Sequence, residues 1–147
     1  VSDIAESQIR GVDGQITQVP IQQILREGKD ILVQVTKVPM GTKGARLTTH
    51  LSIASRYLVL MPNDSTLGIS SKIESEEERN RLKKLLAKEI TQKKGCIIRT
   101  AAEGAEEASL CSDFSFLCKI WHKIEAQYST AKYGTVVHQD LPIVLKT

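Results

Sequence analysis

Two segments in the second half of the chain carry apolar residues at the three- and four-residue spacing of a helix. In the first segment, the apolar positions that share one helix face are Leu82, Leu85, Leu86 and Ile90. Ser75 and Glu78 precede them at the spacing of a capping box, so we expect the helix to begin there. The opposite face carries lysine and arginine residues between 79 and 94. Such a face usually contacts solvent, and an RNA-binding stripe is the alternative.

The second helical segment covers about residues 106–128 and has the longer apolar face. The residues on that face are Leu110, Phe114, Leu117, Trp121, Ile124 and Tyr128. Because they recur at intervals of four and three residues, they predict a helix packed on a core. Trp121 is therefore expected to be a core residue rather than a platform for an RNA base.

Runs of β-branched and alternating apolar residues predict strands elsewhere in the chain. The predicted strands cover residues 30–37, 45–53, 57–61, 67–70, 96–98 and 134–138. A turn at 39–44 joins the first two into a hairpin with Lys43 at its basic tip. The run at 57–61 is almost continuously apolar, which predicts a strand buried on both faces.

Shorter signals complete the predicted elements. Residues 1–19 are mixed and polar and are expected to be irregular. Pro20 and Gly28 stand where proline opens and glycine closes a short helix, here over 21–27. Residues 140–142 have the sequence of a helix cap and first turn, which predicts a further helix at the end of the chain.

The distribution of these elements predicts two parts. The chain is β-rich over residues 1–52, and helices alternate with strands over 53–147, so we expect an α+β fold with a domain boundary between them. A start within a loop and an end within a helix are what we expect of a fragment of a larger protein.

Composition narrows the possible partners of the chain without naming one. The 147 residues are 41% hydrophobic, which suffices for a core, and a net charge of +3 permits a polyanionic partner. Aromatic residues make up only 4%, which argues against a surface that stacks many bases. We find no leader segment and no apolar run near the ~20 residues that span a bilayer, so a cytoplasmic protein without a membrane span is expected.

The cysteines and histidines predict no chemistry. Cys96, Cys111 and Cys118 are odd in number and form no C-x-x-C pair, so we interpret them as small core residues in a reducing cytosol. The three histidines are scattered along the chain without the spacing of metal ligands, and no metal site is predicted.

The segment from Gly95 to Gly104 carries the most informative chemistry. A short apolar strand ends there on Arg99 and Thr100, and small residues follow. A planar guanidinium, a hydroxyl and backbone N–H groups suit the oxygens of a phosphate. By the residues alone, a solvated strand end or a structural hydrogen-bond donor is the alternative. We find no pairing of a nucleophile with a base elsewhere, which argues against catalysis by this chain.

Several segments, in the same order along the chain, resemble the ribonuclease E/G family. Residues 25–37 (LREGKDILVQVTK) and 41–49 (GTKGARLTT) are similar to the closing part of that family's S1 RNA-binding domain. Residues 55–62 (SRYLVLMP), 73–79 (IESEEER) and 97–104 (IIRTAAEG) are similar to its 5′-sensor domain. The first and last of these three are closer to the G branch of the family than to the E branch.

The resemblance implies an endoribonuclease of RNA processing and decay that prefers single-stranded RNA with a 5′-monophosphate. Arg99 and Thr100 match the arginine and threonine of the family's 5′-phosphate pocket. Val59 and the residue at the position of Ser55 pack around the terminal nucleotide. The E branch has glycine at that position, where a serine either crowds the nucleotide or adds a hydrogen bond. Lys43 matches a lysine of the S1 domain that holds RNA.

Other parts of the family's enzymes do not occur in this sequence, among them the first S1 strands, the catalytic domain with its acidic magnesium ligands and the zinc-link motif. We therefore expect no cofactor in this chain, Mg²⁺ in the catalytic domain of the parent enzyme, and no RNA cleavage by the chain alone. The expected architecture is a partial S1/OB-type β-barrel followed by an α/β 5′-sensor domain, in a parent that forms a homo-oligomer.

Two other functions stay open at this point. One is an S1/OB-type RNA-binding module without selectivity for the 5′ end. The other is an assembly element of a larger enzyme that binds no RNA itself. An incomplete barrel would leave unpaired strand edges, which favour self-association.

Overall fold

The computed structural model describes residues 8–10, 16–18, 20–89 and 94–139. In chain order the elements are β1 (Gln8–Arg10), β2 (Ile16–Gln18), α1 (Ile21–Ile24), β3 (Gln34–Lys37), β4 (Arg46–Thr48), β5 (Ile53–Ala54), β6 (Leu58–Met61), β7 (Leu67–Ile69), α2 (Glu76–Glu89), β8 (Gly95–Ile98) and α3 (Glu107–Thr130). Helices are combined with mostly antiparallel strands, which confirms the predicted α+β class.

A four-stranded sheet with the strand order β5-β6-β8-β7 organises the second part of the chain. Strand β6 pairs antiparallel with β5 and β8, whereas β7 lies parallel to β8 at one edge. Helix α2 forms the crossover between these two parallel strands. Strands β1 and β2 form a separate antiparallel pair, and β3 and β4 form another.

The hydrophobic core lies between one face of this sheet and the helices α2 and α3. The sheet contributes alternate residues of two strands, all fully buried: Leu58, Leu60, Cys96 and Ile98. The helices contribute most of the predicted apolar faces: Leu82, Leu86, Leu110, Phe114, Leu117, Trp121 and Ile124. Tyr128, which was predicted to share the second face, is instead 40% exposed. Both long helices and the core position of Trp121 are thus confirmed. Burial of a large apolar side chain is worth about 1.5–3 kcal/mol, so this packing is the main support of both helices.

The opposite face of the sheet is more open. Val59 and Met61 are half-buried, and Ile97 is 37% exposed. The prediction of a strand buried on both faces at 57–61 is therefore wrong. The side chains of both helices enter one core cluster, and that cluster takes only the other residues of β6.

The strand predicted over 45–53 is two strands that belong to different sheets. Strand β4 ends at Thr48, and the N–H of His50 donates to the Thr48 hydroxyl at 3.1 Å. The chain then enters the four-stranded sheet at Ile53. The apolar alternation that predicted one strand continues through this turn, since Leu51 faces the core from the turn itself.

The elements near the start of the chain are shorter than predicted. The helix predicted over 21–27 ends at Ile24, because Leu25 has extended backbone angles. A single turn without buried side chains has little to propagate it. Gly28 follows with a φ of 81°, which glycine adopts without strain. The strand predicted over 30–37 begins only at Gln34, where pairing with β4 begins.

Residues at both ends of the chain also differ from the predictions. The polar stretch 1–19, predicted as irregular, contains β1 and β2. The β-branched stretch 134–138, predicted as a strand, is irregular, and Val137 packs against the core instead. Ile90 and the helix predicted to start at 140–142 lie outside the described residues.

The chain changes sheet near the predicted domain boundary. Strand β4 ends before residue 52, and β5 begins after it. The parts also contact each other, because Leu32 packs against the core. Within the first part, the side-chain amide of Gln34 makes two 2.9 Å hydrogen bonds with the backbone of Ser52. The division into two domains stays a prediction. Within the described ranges, the strands close no barrel.

Candidate nucleic-acid interface

The structure brings together four of the residues predicted to bind the RNA 5′ end. The register of β6 and β8 places Val59 opposite Ile97, and Arg99 and Thr100 follow directly after β8. Ser55 lies in the loop of residues 55–57 that joins β5 to β6. This loop adjoins the end of β8, because β6 is the antiparallel neighbour of both strands.

Two bonds to the loop of residues 55–57 fix Arg99. The backbone N–H of Arg99 donates to the carbonyl of Tyr57 at 2.8 Å, and its Nη1 atom donates to the carbonyl of Ser55 at 2.5 Å. The side chain is exposed, and Nε and Nη2 have no partner among the described residues. One corner of the guanidinium is thus fixed while its other donors remain accessible to an anion.

Thr100 pairs with Ser70, a residue that the sequence analysis did not single out. Their hydroxyl oxygens lie 2.9 Å apart, and either can be the donor. The N–H of Ser70 also donates to the carbonyl of Ile98 at 2.9 Å, which extends the pairing of β7 with β8 by one residue. The only signal for Ser70 in the sequence was its position at the end of a predicted strand.

Arg79 of α2 stabilises the loop that contains Ser70. Its Nη1 atom donates to the carbonyls of Ser70 at 3.0 Å and Ile73 at 3.1 Å. The prediction that the basic face of this helix is solvated is therefore wrong at Arg79, which is half-buried, but it holds at Lys83 and Lys84, which are exposed.

Glu78, predicted to complete a capping box, has other partners. The Ser75 hydroxyl does accept the N–H of Glu78 at 3.3 Å, which is one half of the box. The Glu78 carboxylate instead pairs with Arg81 at 2.6 Å and accepts the N–H of Gly104 at 2.8 Å. The bonds from Arg81 and then Gly104 lower the pKa of Glu78 to about 2. This carboxylate therefore connects α2 to the turn that follows β8.

The hydroxyl of Ser55 is bonded to α3. Its Oγ donates to Oδ2 of Asp113 at 2.5 Å, and the N–H of Tyr57 donates to the same oxygen at 3.0 Å. The hydrogen bond of this serine is thus made to the protein itself. Sequence reasoning missed Asp113, because it is separated from Ser55 by 58 residues and no local pattern marks it.

An apolar strip crosses the open face of the sheet through Val59. The register places Ala54 opposite Val59, Val59 opposite Ile97, and Ile97 beside Gly68. A Cβ atom on Gly68 would lie 3.3 Å from Cγ1 of Ile97, so the glycine makes room for this side chain. A flat apolar surface close to a guanidinium can accept a base or a ribose.

Lys43, the fifth predicted residue, lies on the separate β3–β4 hairpin. Reciprocal backbone bonds of 3.1 Å between Met40 and Lys43 close the turn at its tip. Its side chain is exposed. The structure therefore places Lys43 on a different element from the other four residues.

Comparison with known proteins identifies the family. The sequence profile of the Ribonuclease E/G family matches residues 52–147, which is more than half of the chain. The chain belongs to the ribonuclease E/G family. Ribonuclease G of Escherichia coli strain K12 is 53% identical over 110 residues, which cover 75% of this chain and 22% of that protein. Ribonuclease G of Haemophilus influenzae is 52% identical over 115 residues, or 78% and 23% of the two chains.

Ribonuclease E of Escherichia coli strain K12 is 39% identical over 128 residues, which cover 86% of this chain and 12% of that protein. The higher identities to ribonuclease G agree with the resemblance to the G branch. The chain thus spans about a fifth of the length of its ribonuclease G relatives. The range matched by the ribonuclease E/G profile contains Ser55, Val59, Arg99 and Thr100, whereas Lys43 precedes it. In the described part of this family member, no helix is long and apolar enough to cross a membrane.

Proposed function

We propose that this chain is the RNA-binding and 5′-monophosphate-sensing part of a cytoplasmic, single-strand-specific endoribonuclease that acts in RNA processing and decay. The names of its relatives support an RNA substrate. The observation that carries the proposal is the geometry of Arg99. Its Nη1 is bonded to the Ser55 carbonyl, and its Nε and Nη2 have no hydrogen-bond partner among the described residues.

The guanidinium of Arg99 would bind two oxygens of a terminal phosphate through its free donors. The hydroxyl of Thr100, oriented by Ser70, would bind a third oxygen. The terminal nucleotide would then contact Val59 and the loop at Ser55. A 5′-hydroxyl offers no charge to this site, and a 5′-triphosphate brings more charge and bulk than one fork accommodates.

We propose that cleavage takes place in parts of the parent enzyme that lie outside this chain. The chain itself spans about a fifth of the length of its ribonuclease G relatives. We propose that the parent uses Mg²⁺ in its catalytic domain and assembles as a homo-oligomer. No three His, Cys, Asp or Glu residues of the described ranges are placed to hold a metal ion together. The role that we propose for this chain is to select and position RNA.

The β3–β4 hairpin is proposed to be the closing part of an S1 domain, with Lys43 in contact with the RNA backbone. Support comes from the exposure of the Lys43 side chain at the tip of the hairpin. A lysine contact to phosphate adds affinity that falls with salt but carries no sequence information. Lys43 would thus strengthen binding of every RNA, whatever its 5′ end.

The proposal is tested by titrating the chain with one short single-stranded RNA that carries a 5′-monophosphate, a 5′-hydroxyl or a 5′-triphosphate. We expect the monophosphorylated RNA to bind most tightly, by tenfold or more, on the order of one charge-assisted contact. Equal affinities for the three RNAs would contradict 5′-end sensing and favour the S1/OB-type binding module.

The exposed apolar residues of the hairpin favour a second function, that of an assembly element. Val35 is 54% and Met40 79% exposed on β3 and its turn. An apolar surface of this kind can bind another part of the enzyme or a second copy. This function predicts dimers in sedimentation analysis and no RNA binding at moderate salt.

A further inference from the structure

We propose that Asp113 is a positioning residue for Arg99 and acts through the loop of residues 55–57. The proposal rests on the proposed function, in which Arg99 binds the RNA 5′-phosphate. Helix α3 carries Asp113 and packs on the same sheet that carries Arg99, with the loop between the two side chains. Among the described residues, no hydrogen bond joins Asp113 directly to Arg99.

The loop is bonded on both sides at the same two residues. On one side, the Ser55 hydroxyl and the Tyr57 N–H both donate to Oδ2 of Asp113, at 2.5 and 3.0 Å. On the other side, the Ser55 and Tyr57 carbonyls accept from Nη1 and the N–H of Arg99, at 2.5 and 2.8 Å. Ser55 and Tyr57 therefore each connect the carboxylate of α3 to the arginine of the sheet.

The serine hydroxyl has one proton and two acceptors within reach. The carbonyl of Leu58 lies 3.1 Å from Oγ, and the carboxylate of Asp113 lies closer, at 2.5 Å. A bond to a charged acceptor is the stronger of the two, so the proton goes to Asp113. This choice sets the direction of the hydroxyl hydrogen, and the bond to Asp113 holds the loop on the side away from Arg99.

Loss of the carboxylate releases both bonds on that side. The Ser55 hydroxyl would turn to Leu58, and the N–H of Tyr57 would lose its acceptor. The Ser55 N–H would still donate to the Leu58 carbonyl at 2.9 Å. The Ser55 carbonyl would nevertheless be held less firmly, and Nη1 of Arg99 would have a less rigid partner. A guanidinium that must be ordered when RNA binds gives a weaker contact than one already in place.

The test compares Asp113→Ala with Asp113→Asn and with Ser112→Ala, a matched control on the exposed neighbouring position of α3. Each variant of the chain is titrated with 5′-monophosphate and 5′-hydroxyl RNA. We expect Asp113→Ala to reduce the preference for the monophosphate roughly fivefold to tenfold, with unchanged affinity for the hydroxyl RNA. Asp113→Asn retains an acceptor oxygen and should recover part of the preference. Ser112→Ala should bind like the parent chain, which here means this chain without substitutions.

The proposal is wrong if Asp113→Ala keeps the full preference, or if both RNAs weaken by the same factor. If Asp113→Ala does not fold, Ser55→Ala takes its place, because it removes one of the two bonds to the carboxylate. It should then lower the preference for the monophosphate and, without RNA, speed hydrogen exchange at the Arg99 guanidinium, which loss of a direct RNA contact would not do. An unchanged preference or unchanged exchange would overturn the proposal.

A second readout, taken without RNA, separates this proposal from the proposed function. The NMR signals of the Arg99 Nη1 hydrogens report how well the guanidinium is ordered, because Nη1 donates to the Ser55 carbonyl. We expect a protected signal in the parent chain and faster hydrogen exchange in Asp113→Ala, but not in Ser112→Ala. If the parent chain shows no monophosphate preference, the function fails while this measurement still decides the link from Asp113 to Arg99. Equal exchange in all three chains would refute the link.

Discussion

Arg99 and Lys43 are both exposed cations predicted to contact RNA, yet the protein holds them in different ways. Arg99 directly follows β8, a central strand of the four-stranded sheet. Its backbone and its guanidinium both donate hydrogen bonds to the loop of residues 55–57. Lys43 projects from the turn of a two-stranded hairpin whose bonds involve only its backbone. A fixed planar fork can distinguish one arrangement of oxygens from another, whereas a flexible ammonium contributes mainly charge. The difference predicts that selectivity depends on Arg99 and general affinity on Lys43.

The largest effect is expected for Arg99→Gln. Glutamine cannot supply the charged fork. The preference for 5′-monophosphate over 5′-hydroxyl RNA, expected to be roughly tenfold or more in the unsubstituted chain, should therefore almost disappear. Affinity for 5′-hydroxyl RNA should change little. The free energy of unfolding should also change by less than about 1 kcal/mol, because the side chain is exposed. Titration of both RNAs and denaturant unfolding check these outcomes.

A loss of several kcal/mol in Arg99→Gln would instead mark Arg99 as a structural residue, since breaking a buried charge network costs that much. Thr100→Val is a useful companion variant. It keeps the side-chain shape but removes the hydroxyl that pairs with Ser70, and it should weaken the same preference by a smaller factor.

The sheet that carries Arg99 should tolerate less change than the hairpin that carries Lys43. A Cβ on Gly95, at the start of β8, would lie 2.9 Å from Cβ and 3.1 Å from the backbone carbon of Asp64. Gly95→Ala should therefore cost about 1–3 kcal/mol in denaturant unfolding. Gly44→Ala, in the hairpin, is the matched control, because nothing lies within 4 Å of the added atom. Equal stability of the two variants would contradict the close packing of β8.

Acid should weaken the bonds by which Glu78 holds the turn at Gly104, a few residues after Arg99. Arg81 and the Gly104 N–H lower the pKa of Glu78 from 4.5 to about 2. The carboxylate therefore stabilises the fold fully above its unfolded pKa, and this contribution is lost as the pH falls from about 4.5 to about 2. Since the pair is partly exposed, we expect Glu78→Gln to cost only about 1 kcal/mol at neutral pH. The difference in free energy of unfolding between Glu78→Gln and the unsubstituted chain should shrink as the pH falls. A difference that does not change with pH would argue against the Glu78–Arg81 pair.

Lys43→Gln should have the smallest effect. Loss of one exposed phosphate contact is expected to weaken binding about two- to threefold for all three 5′ ends alike. The slope of log affinity against log salt should also fall by about 1. Loss of the monophosphate preference in Lys43→Gln would break the comparison, because it would give the flexible cation a role in end selection.

The sequence predicted those features that repeat or that stand together along the chain. Regular intervals of three and four residues predicted both long helices, and the adjacent Arg99 and Thr100 suggested a phosphate site. Ser70 and Asp113 could not be predicted, since their contacts join residues 30 and 58 positions apart. Such contacts depend on the register of β7 with β8 and on the rotation of α3 about its axis.

Errors in the predicted strands have a related cause. A β-branched run shows which side chains favour extended backbone, but pairing depends on a partner elsewhere in the chain. Residues 134–138 have the composition of a strand, and Val137 is used in the core without pairing. The run at 45–53 supplies partners to two sheets, so a turn divides it.

The most direct test of the central claim is ³¹P NMR of 5′-monophosphorylated RNA mixed with the chain and with Arg99→Gln. The measurement is made above pH 7, where the terminal phosphate is close to fully ionised because its second pKa is about 6. The account predicts that the terminal phosphate signal shifts and saturates with the parent chain, and that it moves far less with Arg99→Gln. A terminal signal that stays unchanged while the RNA binds, or that moves equally with both chains, would contradict it.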